Sequence, residues 1–166
     1  KKLHGTLIHS KKPQPFSDRT SIHVHINCLD LNQEQVKSIV LWYALFEPVF
    51  FAMCAPNRKN NIHCVPLDQT TLCENYRRTL PLFVQKWSKY TALNLLPLSA
   101  QGTIEFRHME GHNDPERFEA WLLTLENLWS YGKSNILNKG FLAKPTALLD
   151  AFDAIFKDSV IKNIRA

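Results

Sequence analysis

Two stretches of strict alternation, far apart in the chain, constrain its fold more than anything else in the sequence. The first is Thr20-Ser21-Ile22-His23-Val24-His25-Ile26-Asn27-Cys28. Side chains on an extended strand point alternately to its two faces. His23, His25 and Asn27 therefore share one side, and Ile22, Val24, Ile26 and Cys28 the other. The second run, Gly102-Thr103-Ile104-Glu105-Phe106-Arg107-His108-Met109-Glu110-Gly111, repeats the design. Thr103, Glu105 and Arg107 face one way, while Ile104, Phe106 and His108 face the other. Strands of this kind form a sheet with one face buried. If the two lie in one sheet with their apolar faces together, two imidazoles, a carboxylate, a guanidinium and an amide converge on the opposite side.

The segments between supply helices to cover such a sheet. After the first strand, Asp30 with Gln33 or Asn32 with Gln35 can form a reciprocal cap. Val36, Ile39, Val40, Tyr43 and Phe46 then recur at helical spacing. Pro48 lacks a backbone donor and predicts a kink or break near Glu47, which is read as helping to start a second helical piece. Residues 55–61 are a loop by composition. Asp68 to Tyr90 reads as one or two helices parted at Pro81, with Leu72, Tyr76, Leu80, Phe83, Val84 and Trp87 inward. Ala92 to Leu98 reads as a strand that turns through Ser99–Gly102 into the Glu105 strand, making a hairpin. Asp114-Pro115-Glu116 marks a helix start and Gly132 its stop. A last helix turns Leu148, Leu149, Phe152 and Ile155 inward. The order predicts an α+β fold, an antiparallel sheet with helices packed on one face. Residues 1–19 read as an N-terminal edge segment, with a short strand over Leu3–Ile8 and then a loop, and residues 20–166 as the domain itself.

With 166 residues, 45% of them hydrophobic and 21% charged, the chain suits one domain with a real core rather than a disordered segment. Lys and Arg outnumber Asp and Glu by 20 to 15, but the basic pairs are scattered. That field suits an anionic small ligand as well as nucleic acid and by itself discriminates nothing, and nucleic acid is not the expected partner. Cys28, Cys54, Cys64 and Cys73 show neither zinc-site spacing nor the density of a disulfide scaffold, so reduced thiols in the cytoplasm are expected. The longest apolar run, Ile39 to Met53, is too short for a membrane span and contains Glu47 and Pro48.

Histidines and a carboxylate on neighbouring strands are what a divalent cation needs, and arginines beside them suit a phosphate or carboxylate ligand. Together they favour phosphoryl transfer. Two other readings stand beside it. A metal-dependent hydrolase can also be built on H-x-H, although His63, His108 and His112 fall on loops or on the opposite face and give no clear further ligand. A non-enzymatic basic binding module would show affinity that falls steeply with salt. Alone, His23 and His25 with a Glu105–Arg107 ion pair would be ordinary exposed polar residues, and such a pair contributes only ~0 to 1 kcal/mol.

In sequence order, His23-Val24-His25, Leu45-Phe46-Glu47-Pro48-Val49, Pro56-Asn57-Arg58-Lys59-Asn60-Asn61, Leu93-Asn94-Leu95 and Thr103-Ile104-Glu105-Phe106-Arg107 with Glu110-Gly111 resemble the amidoligase family. That family is related to glutamine synthetase and glutamate-cysteine ligase. The resemblance runs from about Thr20 to about Trp129. It implies a glutamine-synthetase-like catalytic domain and an ATP-dependent carboxylate-amine ligase, with Mg2+ or Mn2+ as the cation. Its substrates would be small-molecule or peptide carboxylates and amines, joined through an acyl phosphate. Carried over residue by residue, His23 and Glu105 resemble the metal ligands, and His25 the residue facing the nucleotide phosphates. Arg58 resembles a phosphate-binding arginine, and Arg107 a clamp on the phosphoryl group or substrate carboxylate. Asn61 would lie on the nucleotide side, with Asn27, Asn94 and Glu110 as neighbours of unassigned role. Family members begin with a strand bearing two glutamates one residue apart, and no E-x-E occurs in this sequence. The chain is therefore expected to be the C-terminal part of such an enzyme, inactive alone. The missing strand would come from an upstream segment or another chain, unless the ligase has decayed into something else.

Overall fold

The computed structural model describes residues 16–17, 19–75 and 77–159. The expected Leu3–Ile8 strand, Tyr76 and the polar tail from 160 lie outside them. In chain order the elements are β1 (Val24–Asn27), α1 (Gln33–Ala52), α2 (Leu80–Gln85), β2 (Leu93–Asn94), α3 (Pro97–Gln101), β3 (Thr103–Phe106), α4 (Pro115–Ser134), α5 (Lys139–Leu142) and α6 (Ala147–Phe156). Short 3-10 turns at Pro56–Asn60, Leu67–Gln69 and Leu72–Asn75 occupy the stretch between α1 and α2.

The three strands form an antiparallel sheet in the order β1-β3-β2, which puts β3 in the centre. Alternation sets its two faces as the sequence requires. Ile104, Phe106 and His108 are fully buried beneath it, packed with Ile39, Tyr43 and Phe50 of α1 and Trp121, Leu125 and Leu128 of α4. The structure is thus mixed helix and strand, with a small open sheet and its helices on the apolar side.

Both long helices begin where their caps predict. The Asn32 side chain accepts from Gln35 N–H while Gln35 returns a bond to Asn32, so the second of the two candidate boxes forms. Asp114 accepts from Arg117 N–H at the head of α4.

Several expectations give way to packing. The helix does not break at Pro48, and α1 runs unbroken through it to Ala52. Glu47 starts no new helix. It points inward and accepts from Tyr43 Oη (2.6 Å) and from the backbone N–H of Leu67 (2.8 Å), so it joins α1 to the following 3-10 turn. Among the described residues from Asp68 to Tyr90 the chain is mostly 3-10 turns and irregular, with the six-residue α2 the only α-helix, and Pro81 lies in that helix's first turn. The hairpin pairing exists, but β2 has only two residues, and α3 replaces the expected turn. Gly102 closes α3 at φ 66°, a conformation that favours glycine. Gly132 is no stop, since α4 continues to Ser134. Its missing Cβ admits Ile39 of α1, whose Cα would stand 2.9 Å from one. In α6 the buried residues are Ala147, Ala151, Ile155 and Phe156, while Leu148 and Leu149 are exposed. Asn127 of α4 donates to Ile155 O, and the face of α6 that carries Ala147, Ala151 and Ile155 is the buried one.

Among the described residues, no helix is long and apolar enough to cross a membrane.

Candidate functional site

Sheet register brings the two alternating runs together. His25 lies directly opposite Glu105 on one side, and Asn94 lies opposite Glu105 on the other. Cys28 N–H donates to Gly102 O, so by alternation His25 and Glu105 form a non-hydrogen-bonded pair, the closer kind for side chains. His23 is the diagonal neighbour two residues back. Far separation in the chain has become adjacency across one ladder.

Glu105 is the hub. Its Oε1 lies 2.7 Å from His23 Nδ1 and 3.7 Å from His25 Nε2, and its Oε2 accepts from Asn94 Nδ2 at 2.6 Å. Arg107 Nη1 stands 3.3 and 3.4 Å from the two oxygens. Although it sits on the face away from the core, Glu105 is only 6% exposed. Burial raises its carboxyl, but the Asn94 amide, the Arg107 guanidinium and the two imidazoles outweigh that and hold it below the ordinary value of 4.5. It is a carboxylate at neutral pH. The pKa of His23 is lowered as well, which here favours the neutral form: burial and Arg107 bring it down from 6.5 against the pull of Glu105. A neutral His23 that donates from Nδ1 to Glu105 and accepts at Nε2 from Ser21 Oγ (2.9 Å) satisfies both contacts. The His23–Glu105 contact is then a hydrogen bond to a carboxylate rather than an ion pair.

The other expected residues fall at graded distances from this hub. His25 is fixed through Nδ1 by Thr103 Oγ1 at 3.0 Å. Arg107 donates from Nε to His63 O, tying the site to the loop after the Pro56–Asn60 turn. Arg58 is 2% exposed, and its Nε and Nη2 donate to the carbonyls of His108 (2.6 Å) and Arg107 (2.7 Å). Those bonds hold the backbone that carries Arg107, and they keep the Arg58 guanidinium beneath the surface. Asn61 lies at the start of the His63 loop. There its Oδ1 accepts from His63 N–H, beside a cavity of about 260 Å³ lined by Lys59, Asn60 and Gln69. Glu110 accepts from Ala55 N–H and pairs with Arg117, so it closes the end of α1 against α4 rather than joining Glu105. Asn27 turns its Oδ1 to Leu29 N–H.

Two partners are not among the functional residues read from the sequence, Ser21 on His23 and Thr103 on His25, and Asn94, a neighbour without a role there, proves to hold Oε2. Parity already placed Ser21 with His23 and Thr103 with Glu105. Only the register could say which pairs would touch.

As for a cation, two cis ligands of an octahedral ion, each about 2.1 Å from it, stand about 3.0 Å apart. The 2.7 Å between His23 Nδ1 and Glu105 Oε1 is close to that bite. Among the described residues, however, no group of three or more His, Cys, Asp or Glu is arranged to hold a metal ion. The face can supply a carboxylate oxygen and an imidazole nitrogen, which suits Mn2+ better than the oxygen-seeking Mg2+. Further oxygen ligands would have to come from elsewhere.

An ionised carboxylate bordered by imidazoles and a guanidinium is equipment for binding cations and anions side by side, as enzymes that handle phosphorylated or carboxylated substrates require. Residues 7–129 match the family model described as "Putative amidoligase enzyme". That span is most of the chain, and the chain belongs to this family, whose designation is that of enzymes joining a carboxylate and an amine. No curated protein and no solved structure matched the chain.

Proposed function

We propose that the protein is an ATP-dependent carboxylate-amine ligase of glutamine-synthetase-like type, working through an acyl phosphate, with the Glu105 face as part of its active site. The observation that carries this reading is the placement of one buried, ionised carboxylate between His23, His25 and Arg107 on a single sheet face. Glu105 and His23 would hold a divalent cation, Mn2+ or Mg2+, which when bound offsets charge on the nucleotide phosphates. His25, across the ladder, would face the phosphates. Arg107 would hold the transferring phosphoryl group or the substrate carboxylate through its planar fork of donors. Arg58 would serve Arg107 by fixing its backbone, and Asn61 would border the nucleotide from the His63 loop.

The remaining oxygen ligands would arrive on a further strand bearing two carboxylates and pairing with β1, from the same chain or another. Support comes from the outer edge of β1. By alternation the N–H and C=O of His25 point away from β3, towards a cavity of about 440 Å³ lined by Val24, Ile26, Leu122, Leu125 and Trp129. The residues described would then make half of a composite site, with little turnover alone.

Calorimetric titration with a non-hydrolysable ATP analogue tests the reading. Binding is expected only with Mn2+ or Mg2+, and Glu105→Ala or His23→Ala should weaken it at least tenfold. Binding without cation that survives both substitutions and collapses with salt would instead favour a basic binding module.

A further inference from the structure

The carboxylate at the hub has two oxygens and one feature that tells them apart. Arg107 Nη1 is nearly equidistant from Oε1 and Oε2 and so discriminates neither. His23 and His25 both approach Oε1. Among the described residues, Asn94 is the one that bonds Oε2 and not Oε1, at 2.6 Å against 3.4 Å for Arg107. Its amide cannot be turned round, because Oδ1 accepts from the backbone N–H of Leu96 at 3.1 Å, a group that can only donate. The NH2 end must therefore face Glu105. Asn94 is 5% exposed, so this charge-assisted bond lies out of water, where it directs most strongly. Leu96 leads directly into α3, the connection that delivers Glu105 on β3, so clamp and carboxylate are held by one short piece of chain.

We propose that Asn94 is a positioning residue for Glu105, holding Oε2 so that Oε1 is presented beside His23 to a divalent cation. This rests on reading the face as a cation site, and adds to it a residue that never touches the ion. Partners of this kind, standing behind a ligand, typically change metal affinity 10- to 100-fold when removed.

The test is the affinity of the full chain for Mn2+ alone, read from the electron paramagnetic resonance signal of the free ion, together with the thermal midpoint of each variant. Asn94→Ala and Asn94→Val, the second chosen because valine suits a strand, are expected to bind Mn2+ about 10- to 100-fold more weakly. Asn94→Ser, which keeps a donor, should recover part of the loss. A purely structural Asn94 would lower the thermal midpoint and leave the affinity of the folded protein unchanged. That result, with Glu105→Ala abolishing binding, would overturn the proposal and leave the cation reading standing. Absence of saturable Mn2+ binding in the parent protein, or unchanged binding in Glu105→Ala, would overturn both.

Discussion

At the scale of single residues, β3 and the residues just after it carry two titratable groups of opposite situation only three positions apart. Glu105 is kept ionised by partners, and His108 is kept neutral by burial. His108 packs against Tyr43, Phe50, Phe51, Phe106 and Trp121, and burial, with Arg58 nearby, lowers its pKa from 6.5 to about 3. Tyr43 gives its only hydroxyl proton to Glu47, so His108 Nε2 must donate to Tyr43 Oη, leaving Nδ1 as a buried acceptor without a partner. The native pKa lies below the unfolded one, so the unfolded chain takes up the proton first as pH falls. Stability attributable to neutral His108 is complete above pH 6.5 and is lost as pH drops from there towards 3, at up to about 1.4 kcal/mol per pH unit. Glu47, raised by burial against its hydrogen bonds, acts in the opposite sense, so the comparison must be between variants. The parent protein should lose stability relative to His108→Gln between pH 6.5 and 4, as measured by urea unfolding. Parallel curves would show that His108 titrates normally.

At the scale of elements, the close crossing of α1 and α4 depends on a position that the sequence makes look like a helix end. A Cβ on Gly132 would lie 2.6 Å from Ile39 Cγ1 and 2.9 Å from its Cα, and backbone cannot swing aside. Gly132→Ala gains about 1 kcal/mol in helix propensity but overpacks the crossing by about 1 to 3 kcal/mol. A net loss of stability is expected in guanidinium unfolding, and a gain would mean that the helices part freely. This position also shows what a sequence conveys and what it withholds. Two-residue periodicity was enough to sort Glu105 from Phe106 and His23 from Val24, because a strand's faces are a local property. Cap chemistry placed Asn32 and Asp114 for the same reason. Which strand residues face one another is not local: parity allows His25 to meet Glu105, but only the packed sheet makes it do so. Gly132 reads as a stop because close approach by another helix leaves no mark on its own segment. In α6, hydrophobicity places Leu148 and Leu149 inside, yet the buried face is that of Ala147, Ala151 and Ile155. The resemblance assigns Arg58 to a phosphate by its place in a motif, and the motif carries no sign of the two carbonyls, of Arg107 and His108, to which Arg58 donates here.

At the scale of the whole molecule, α1 and α4 press the apolar face of a three-stranded sheet and leave the other face to a single cluster of charge. The helices make the sheet rigid enough for Glu105 to be held from four directions, a condition for selective binding of a small ion. The same architecture leaves β1 at a sheet edge beside a groove, where one more strand would bring carboxylates next to His23 and His25. The most direct measurement is an anomalous difference map from crystals of the full chain grown with Mn2+ and a non-hydrolysable ATP analogue. The expected result is a manganese peak about 2.1 Å from Glu105 Oε1 and a His23 ring nitrogen, with the phosphates between it and Arg107. A peak held by other residues, or nucleotide bound elsewhere with Glu105 still closed on His23, would contradict the assignment of this face as the active site.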